Sequence, residues 1–428
     1  MSFTNYSEEG PALLTNPETK IRATFQLTGT STTVANTLRR CILTETRSVG
    51  FRADLTNSAD PGIEIKKNTS VIFNEMLAHR LTLLPLGVVR VDEFDPARYE
   101  FVLRVKNEER GPIGTAAMRH VRAADFVIRE RAAEGAEWTD LPSAATAAMF
   151  PADPITGETS LLVTLRPQWN PEQPPEEIDL KATAVIGTGR EFMGFSPVAQ
   201  CSFGNTPDTD AVRQEEFFKE WVAGYKKIPD LSAQSPEALD KLRAEWRTMA
   251  AQRCFLVDER GEPNSFDFTV ESVGIRPVKD VVAEGIAAVV KLVDPYTVAE
   301  TPNEELGIRT QPVDSRMNGI DVIFEGQEHT LGCLLQAILT ELYLDSDAPD
   351  SPITFAGYKI RHPLKREMTL RLGIREGVTG DAGTLARTVI AEAAKKARAI
   401  FEELGRSWAA TATGVAGAGG VAAEVLEG

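Results

Sequence analysis

The amino-acid sequence predicts an α+β protein: two copies of a strand–helix–strand–helix unit, paired through their final helices, with a further domain inserted in the first copy. Three observations lead there. The pattern Thr, apolar, small, any, any, Leu occurs at Thr33-Val34-Ala35-Asn36-Thr37-Leu38 and returns at Thr330-Leu331-Gly332-Cys333-Leu334-Leu335, each time after a strand and a turn. The order of elements around the two occurrences agrees. Each half closes on a long helix with one apolar stripe, and each stripe supplies the partner the other lacks.

The elements follow in order. IRATFQL at 21–27 alternates Ile21, Ala23, Phe25 and Leu27 with polar residues, as a half-buried strand does. A Gly/Thr/Ser turn leads to a helix from Thr33 to about Arg47, with Val34, Leu38, Cys41, Ile42 and Glu45 at helical spacing and Ser31, Thr32 or Thr33 as its cap. From 50 to 172 the signals are mixed. Tyr99, Phe101, Leu103 and Val105 alternate, as do Leu161, Val163 and Leu165, around an Ala- and Gly-rich stretch. This is the inserted domain, with Pro171, Pro174 and Pro175 at its exit. The strand pattern resumes at Ile178, Leu180, Ala182 and Ala184, so residues 1–49 and 173–294 make the first unit.

Within that unit, residues 205–262 read as a helical insert around Trp221, Tyr225, Leu242 and Trp246. FDFTV at 266–270 alternates again, and Val278, Val281, Val282, Ile286, Val289, Val290 and Val293 make a helical stripe too rich in Val to face solvent. Residues 295–316 hold three prolines, several charges and no periodicity, as a linker does. The second unit, 317–408, opens with a strand at Ile320, Val322 and Phe324, then a turn at Gly326. A helix follows at Leu331, Leu334, Leu335, Ile338 and Leu339, and a strand at Met368, Leu370, Leu372 and Ile374. Leu385, Val389, Ala393, Ala397, Ile400 and Leu404 stripe the final helix. The small-residue tail, 409–428, reads as disordered.

Composition narrows the function. The 428 residues allow two or three domains with cores. No apolar run approaches the ~20 residues of a membrane helix, and MSFTNYSEEG at the start lacks the basic-then-apolar pattern of a secretory signal. An intracellular protein without a membrane partner is expected. The net charge of −16, without a long basic run, argues against direct sequence-specific binding of nucleic acid. Cys41, Cys201, Cys254 and Cys333 are scattered, which argues against a disulfide framework or a four-thiolate zinc site.

Several stretches resemble one family, the alpha-like assembly subunits of DNA-directed RNA polymerases. TVANTLRRCILTE (33–45), IEIKKNTSVIFNEMLAHRLTLLPL (63–86), LLVTLRPQW (161–169), GTGREFMGFSPV (187–198) and FDFTVESVG (266–274) resemble the third-subunit, or archaeal D, type. FEGQEHTLGCLLQ (324–336) and FAGYKIRHPLKREMTLRL (355–372) are similar to the eleventh-subunit, or archaeal L, type. The matches cover roughly 20–204, 264–294 and 317–405. The resemblance implies two alpha-subunit-like dimerisation folds, each an antiparallel sheet plus helices, paired in cis, with the inserted mainly-β domain in the N-terminal half. Fusions of this kind imply the polymerase of a large DNA virus, acting in the host nucleus or cytoplasm or packaged in the virion.

The family's role is assembly, so the resemblance implies a non-catalytic platform for the largest and second-largest subunits, with small polymerase subunits as further partners. The chain itself would be monomeric. A flexible linker would span ~25 Å and hold the halves at an effective concentration of order mM. Arg39 and Arg40 alone suit a solvated helix face better than an interface; the resemblance reverses that and assigns them to docking of the second-largest subunit. Asn68, Thr69 and Ser70 suit a turn or cap before a helix that carries Glu75, His79 and Arg80. The resemblance adds large-subunit contact to that stretch. It also marks Glu328, His329, Thr330, Tyr358, His362 and Pro363 as the eleventh-subunit-like motif. Pairing of the halves falls to Val278, Val282, Ile286, Val289 and Val293 against Leu385, Val389, Ile400 and Leu404.

Catalytic readings are poorly supported. Glu75 and His79 share a helix face, as do His329 and Cys333, but zinc needs three or four ligands and no third is identifiable. Some family members hold a zinc or iron–sulfur cluster in the inserted domain, whereas this chain has no cysteine between Cys41 and Cys201. No metal and no cofactor is expected. Cys333 and Gln336 depart from the family's usual Asn and Arg. No nucleophile–base constellation, GxxxxGK loop or acidic triad stands out. The alternative to a polymerase platform is a binding module of the same fold working outside one, capturing host subunits.

Overall fold

The structure, a computed structural model, describes residues 1–10, 21–54, 62–111, 116–133, 135–153, 155–170, 172–228, 231, 234–301, 306–313, 317–345, 351–377 and 381–412. Its helices, in chain order, are α1 (Thr32–Thr44), α2 (Asn74–Thr82), α3 (Ser143–Met149), α4 (Ala211–Trp221), α5 (Pro236–Met249), α6 (Val278–Val293), α7 (His329–Leu339) and α8 (Ala382–Ala412). Among the described residues no helix is long and apolar enough to cross a membrane.

The N-terminal sheet forms around strand Arg22–Thr28, whose Ala23, Phe25 and Leu27 point into the core. It pairs antiparallel with Ser2–Glu9 on one side and Ser265–Ser272 on the other, and Val198–Asn205 completes the sheet. Helix α1 starts at Ser31, whose hydroxyl accepts from the Val34 amide at 3.4 Å. It ends at Thr44, short of the expected Arg47. The Arg47 guanidinium is drawn to Glu284 of α6 at 2.9 Å, and Arg47–Phe51 runs as a strand beside Ala184–Thr188. Helix α6 is rich in Val yet helical, because Val281, Val282, Val289 and Val293 are fully buried and packing outweighs propensity. Gly285 lets α1 approach: a Cβ there would lie 2.5 Å from Ile42 Cγ1.

A second sheet has the order Ile63–Asn68, Glu177–Ala182, Tyr99–Lys106, Phe126–Glu130 and Thr139–Asp140. With α2 and α3 it encloses its own core, built on Phe51, Phe101, Phe126 and Phe150. The expected boundary at 172/173 therefore cuts through this unit. Residues 177–182 lie inside the second sheet and not in the first. Alternation identifies a strand but not the sheet it joins. The helical insert holds α4, a π turn at Val222–Lys226 and α5, closed by Phe218, Val222, Trp246 and Ala250.

The C-terminal sheet has the order Ile308–Pro312, Gly319–Glu325, Glu367–Ile374, Ile353–Ile360, and α7 and α8 cover one face. The expected linker is not a free tether in its described parts. Residues Asp294–Val298 form a 3-10 turn with Tyr296 buried against Phe324, and Ile308–Pro312 is an edge strand on Gly319–Glu325. Only Ile308 of this strand is buried, so it shows no apolar alternation to read from the sequence. The tail expected from 409 stays helical through Ala412; residues 413–428 lie outside the described residues.

The halves share one buried core. Val278, Val282, Ile286, Val289 and Val293 of α6 join Val389, Ala393, Ala397, Ile400 and Leu404 of α8 in it, with Leu385 partly buried at its margin. The first strand then clasps the end of α8. The Phe3 amide donates to Ser407 Oγ at 3.0 Å, and the rings of Phe3, Tyr6 and Phe25 surround Trp408 with centroids 5.0, 5.3 and 4.9 Å away. The Trp408 indole N–H donates to the Lys279 carbonyl of α6 at 3.0 Å, so its polar atom is satisfied.

Candidate functional site

Two surfaces gather the sequence-marked residues. The first runs over the outer side of α1 and α2. In α1 the apolar positions Val34, Leu38, Cys41 and Ile42 are buried, which turns Arg39 and Arg40 to the half-exposed flank. The two arginines then part company. Arg39 folds back on its own helix, donating from Nε and Nη2 to Asn36 Oδ1 at 3.0 and 2.9 Å. Arg40 reaches the other half, donating from Nε to the buried Thr330 Oγ1 at 2.9 Å. The resemblance assigns both to docking; the fold gives Arg40 a contact across the seam.

The turn before α2 is built by its polar residues. Asn68 Nδ2 donates to the Ile72 carbonyl at 2.9 Å and to Asn74 Oδ1 at 3.0 Å. Its Oδ1 accepts from the Ser70 amide at 3.0 Å and the Ser70 hydroxyl at 2.6 Å. Thr69 fastens the turn to the sheet, its Oγ1 accepting from the Glu177 amide at 2.8 Å. These residues brace a turn and do not cap the helix. The cap position itself is Phe73, which has no side-chain hydrogen bond there. Ser, Thr, Asp and Asn are strongly preferred at that position, and an apolar residue forgoes about 1 kcal/mol.

What the braced turn achieves is exposure. Val71, Phe73, Met76 and Leu83 are 58%, 75%, 55% and 52% exposed, while Leu77, Ala78, Leu81 and Thr82 hold α2 down. Glu75, His79 and Arg80 rim this apolar surface, and Arg80 Nη2 donates to the Leu161 carbonyl at 2.6 Å. Residues 189–195 link it to α1. The Arg190 amide donates to the Thr44 carbonyl at 2.9 Å and its Nε to Glu45 Oε1 at 2.8 Å. Further along, a Cβ on Gly194 would lie 2.9 Å from the Thr82 carbonyl at the end of α2. Between these anchors Phe192 and Met193 stand exposed. Exposed apolar residues ringed by charge mark a binding surface. Sequence pattern missed them, since the exposure of Phe73 and Met76 shows only once the burial of Leu77, Ala78 and Leu81 is known.

The second surface is the start of α7. Glu328 takes the cap position without a side-chain bond. His329 Nδ1 lies 3.3 Å from the Tyr358 hydroxyl, with the rings edge-on. Gly332 admits that tyrosine, since a Cβ there would sit 2.5 Å from its ring. Gln336, one of the two departures, accepts from the Tyr358 amide at 3.1 Å and so ties α7 to the sheet. Burial raises the Tyr358 hydroxyl pKa, and the nearby Arg40 charge opposes that rise. Arg40, His329, Thr330 and Tyr358 thus meet at the seam, whereas His362 and Pro363 shape a separate hairpin turn.

Burial pushes the Cys41 and Cys201 thiols up to about 12, which suppresses the thiolates a nucleophile or metal site would use. Among the described residues no group of three or more His, Cys, Asp or Glu side chains could hold a metal ion.

Residues 24–293 match the family model for the RNA polymerase Rpb3/Rpb11 dimerisation domain, and residues 320–407 match a second model of the same description. DNA-directed RNA polymerase II subunit RPB3 of Schizosaccharomyces pombe is 27% identical over 275 residues, covering 61% of this chain and 78% of that protein. The subunit RPAC1 of DNA-directed RNA polymerases I and III from Saccharomyces cerevisiae is 30% identical over 212 residues, 45% of this chain and 56% of its own length. The polymerase subunit Rpo3 of Methanosphaera stadtmanae is 27% identical over 215 residues, 49% of this chain and 68% of its own. With more than half its length matched by the first of these models, the chain belongs to the RNA polymerase Rpb3/Rpb11 dimerisation-domain family.

Proposed function

We propose that this chain is a non-catalytic assembly subunit of a multisubunit DNA-directed RNA polymerase. Its third-subunit-like and eleventh-subunit-like halves pair in cis, and the pair is the platform on which the largest and second-largest subunits dock. One observation carries the reading: the two matched segments, 24–293 and 320–407, contribute to a single buried core. A chain that already holds both halves has no need of a second copy, so it is monomeric within the complex. The α1–α2 surface, with Arg39, the Asn68–Ser70 turn, Glu75, His79 and Arg80, receives the second-largest subunit. Nucleotide chemistry then resides in the large subunits, and small polymerase subunits complete the assembly. The same fusion supports a large DNA virus as the source.

Affinity purification of the tagged chain from the cells that express it tests this. Two very large polymerase subunits are expected to copurify with a chain that sediments alone as a monomer. A folded chain that captures neither large subunit, or that forms a stable homodimer at micromolar concentration, rules the platform out. Capture of host subunits alone would instead identify a binding module of the same fold.

A further inference from the structure

The charge of this acidic chain is unevenly spread, and one hairpin collects cations. Strands Ile353–Ile360 and Glu367–Ile374 are joined by an exposed turn, residues 361–366. KIRHPLKR, 359–366, holds four cations and no carboxylate in a chain of net charge −16. Arg361 is committed, since its Nη2 donates to the buried Asp321 at 2.9 Å beside Arg371. Lys359, Lys365 and Arg366 have no ion pair among the described residues. The turn is held in shape: the Leu364 amide donates to His362 Nδ1 at 3.1 Å, and the Gly326 amide to the Arg366 carbonyl at 2.7 Å. At its tip Leu364 is 87% exposed, the highest value for any large apolar side chain among the described residues.

We propose that this hairpin is a docking site for an acidic peptide segment of another protein, with an apolar side chain of that segment seated on Leu364 and its carboxylates on Lys365 and Arg366. Charge complementarity selects an acidic partner. The apolar tip selects peptide over nucleic acid, because a phosphate backbone offers Leu364 nothing to bury against. A nucleic acid long enough to gain from counterion release would also cross the acidic remainder of the chain within the ~8 Å screening length. The proposal rests on the hairpin alone and holds whether or not the chain works in a polymerase.

Fluorescence anisotropy with two probes decides it, using the whole chain at low salt: a short labelled peptide of repeating Glu-Asp-Leu, and a labelled duplex DNA of similar charge. The peptide is expected to bind and the duplex to bind far more weakly. The Lys365→Glu/Arg366→Glu variant should weaken peptide binding by about tenfold or more. Leu364→Ser should weaken it roughly fivefold with the salt dependence unchanged, since it removes apolar contact and no charge. Both variants alter exposed side chains, so their melting curves should match wild type and exclude misfolding. A duplex bound as tightly as the peptide, an unbound peptide, or a neutral Leu364→Ser each overturns the proposal.

Discussion

The seam between α6 and α8 and the outer face of α2 are both rich in apolar side chains, and they obey opposite rules. At the seam the side chains fall in phase with the helix and are buried, Val282, Val289 and Leu404 completely. On α2 the in-phase positions are buried and the apolar residues that matter are out of phase, with Phe73 75% exposed at a position where a polar cap would serve the helix better. One region is shaped by stability. The other forgoes stability, as the proposed docking role requires.

The comparison breaks most directly at the seam. Val289→Asp places a carboxylate at a fully buried position, costing several kcal/mol out of a total of about 5–15. Thermal melting should show loss of the folded state or a large fall in Tm. Ile286→Asp should be milder, because Ile286 also borders an open groove of about 510 Å3 beside Val290, Phe401 and Trp408. If the two variants melt alike, the seam is wetter than its packing indicates. Trp408→Ala comes next, at about 3–5 kcal/mol, since it empties the space enclosed by Phe3, Tyr6 and Phe25.

A smaller effect depends on pH. Arg371, and then Arg361, hold the Asp321 carboxyl below the usual carboxylate range. A depressed folded-state pKa stabilises above the unfolded value of about 4 and loses that stabilisation as pH falls through the folded value. Acid titration should therefore show the C-terminal half weakening below about pH 4 in wild type. Asp321→Asn should flatten that slope while lowering stability at neutral pH, because two guanidinium groups lose their counter-charge and one of two acceptor oxygens. Smaller again is Arg40. In a double-mutant cycle with Thr330→Val, Arg40→Ala should show a coupling of about 1 kcal/mol. Zero coupling would return Arg40 to the docking face alone.

How much of this was legible in the sequence depends on what periodicity reports, which is burial and not partners. It found Ala23, Phe25 and Leu27, and it found both stripes, because each element shows its buried face within a few residues. It placed residues 177–182 in the wrong sheet, since Ile178, Leu180 and Ala182 alternate identically whichever strand lies beside them. It missed Ile308–Pro312, an edge strand with a polar side. The Arg40–Thr330 contact spans 290 residues and leaves no local trace. The Asn68–Ser70 turn was visible as polar chemistry, but the apolar surface it presents was not, because exposed Phe73 and Met76 look like any other apolar residues until the burial of their neighbours is known.

The sharpest test of the comparison has the smallest effect on stability and inverts the usual expectation. Phe73 occupies the cap of α2 with φ −70° and ψ 158°, a backbone geometry suited to a capping side chain. Phe73→Ser supplies the missing acceptor for an amide of the first turn and removes a ring that is mostly in water. Little packing is lost, so the helix should gain about 0.5–1 kcal/mol. Melting should stay level or rise slightly. Capture of the large polymerase subunits should fall, because the ring is the most exposed aromatic on that surface and interfaces depend on a few such anchors. Ser adds no charge, so reduced capture cannot be laid to repulsion. A variant that is more stable and binds less separates the two demands on α2 within one side chain. A variant that melts lower shows that Phe73 serves the fold, and one that captures normally shows that the partner sits elsewhere.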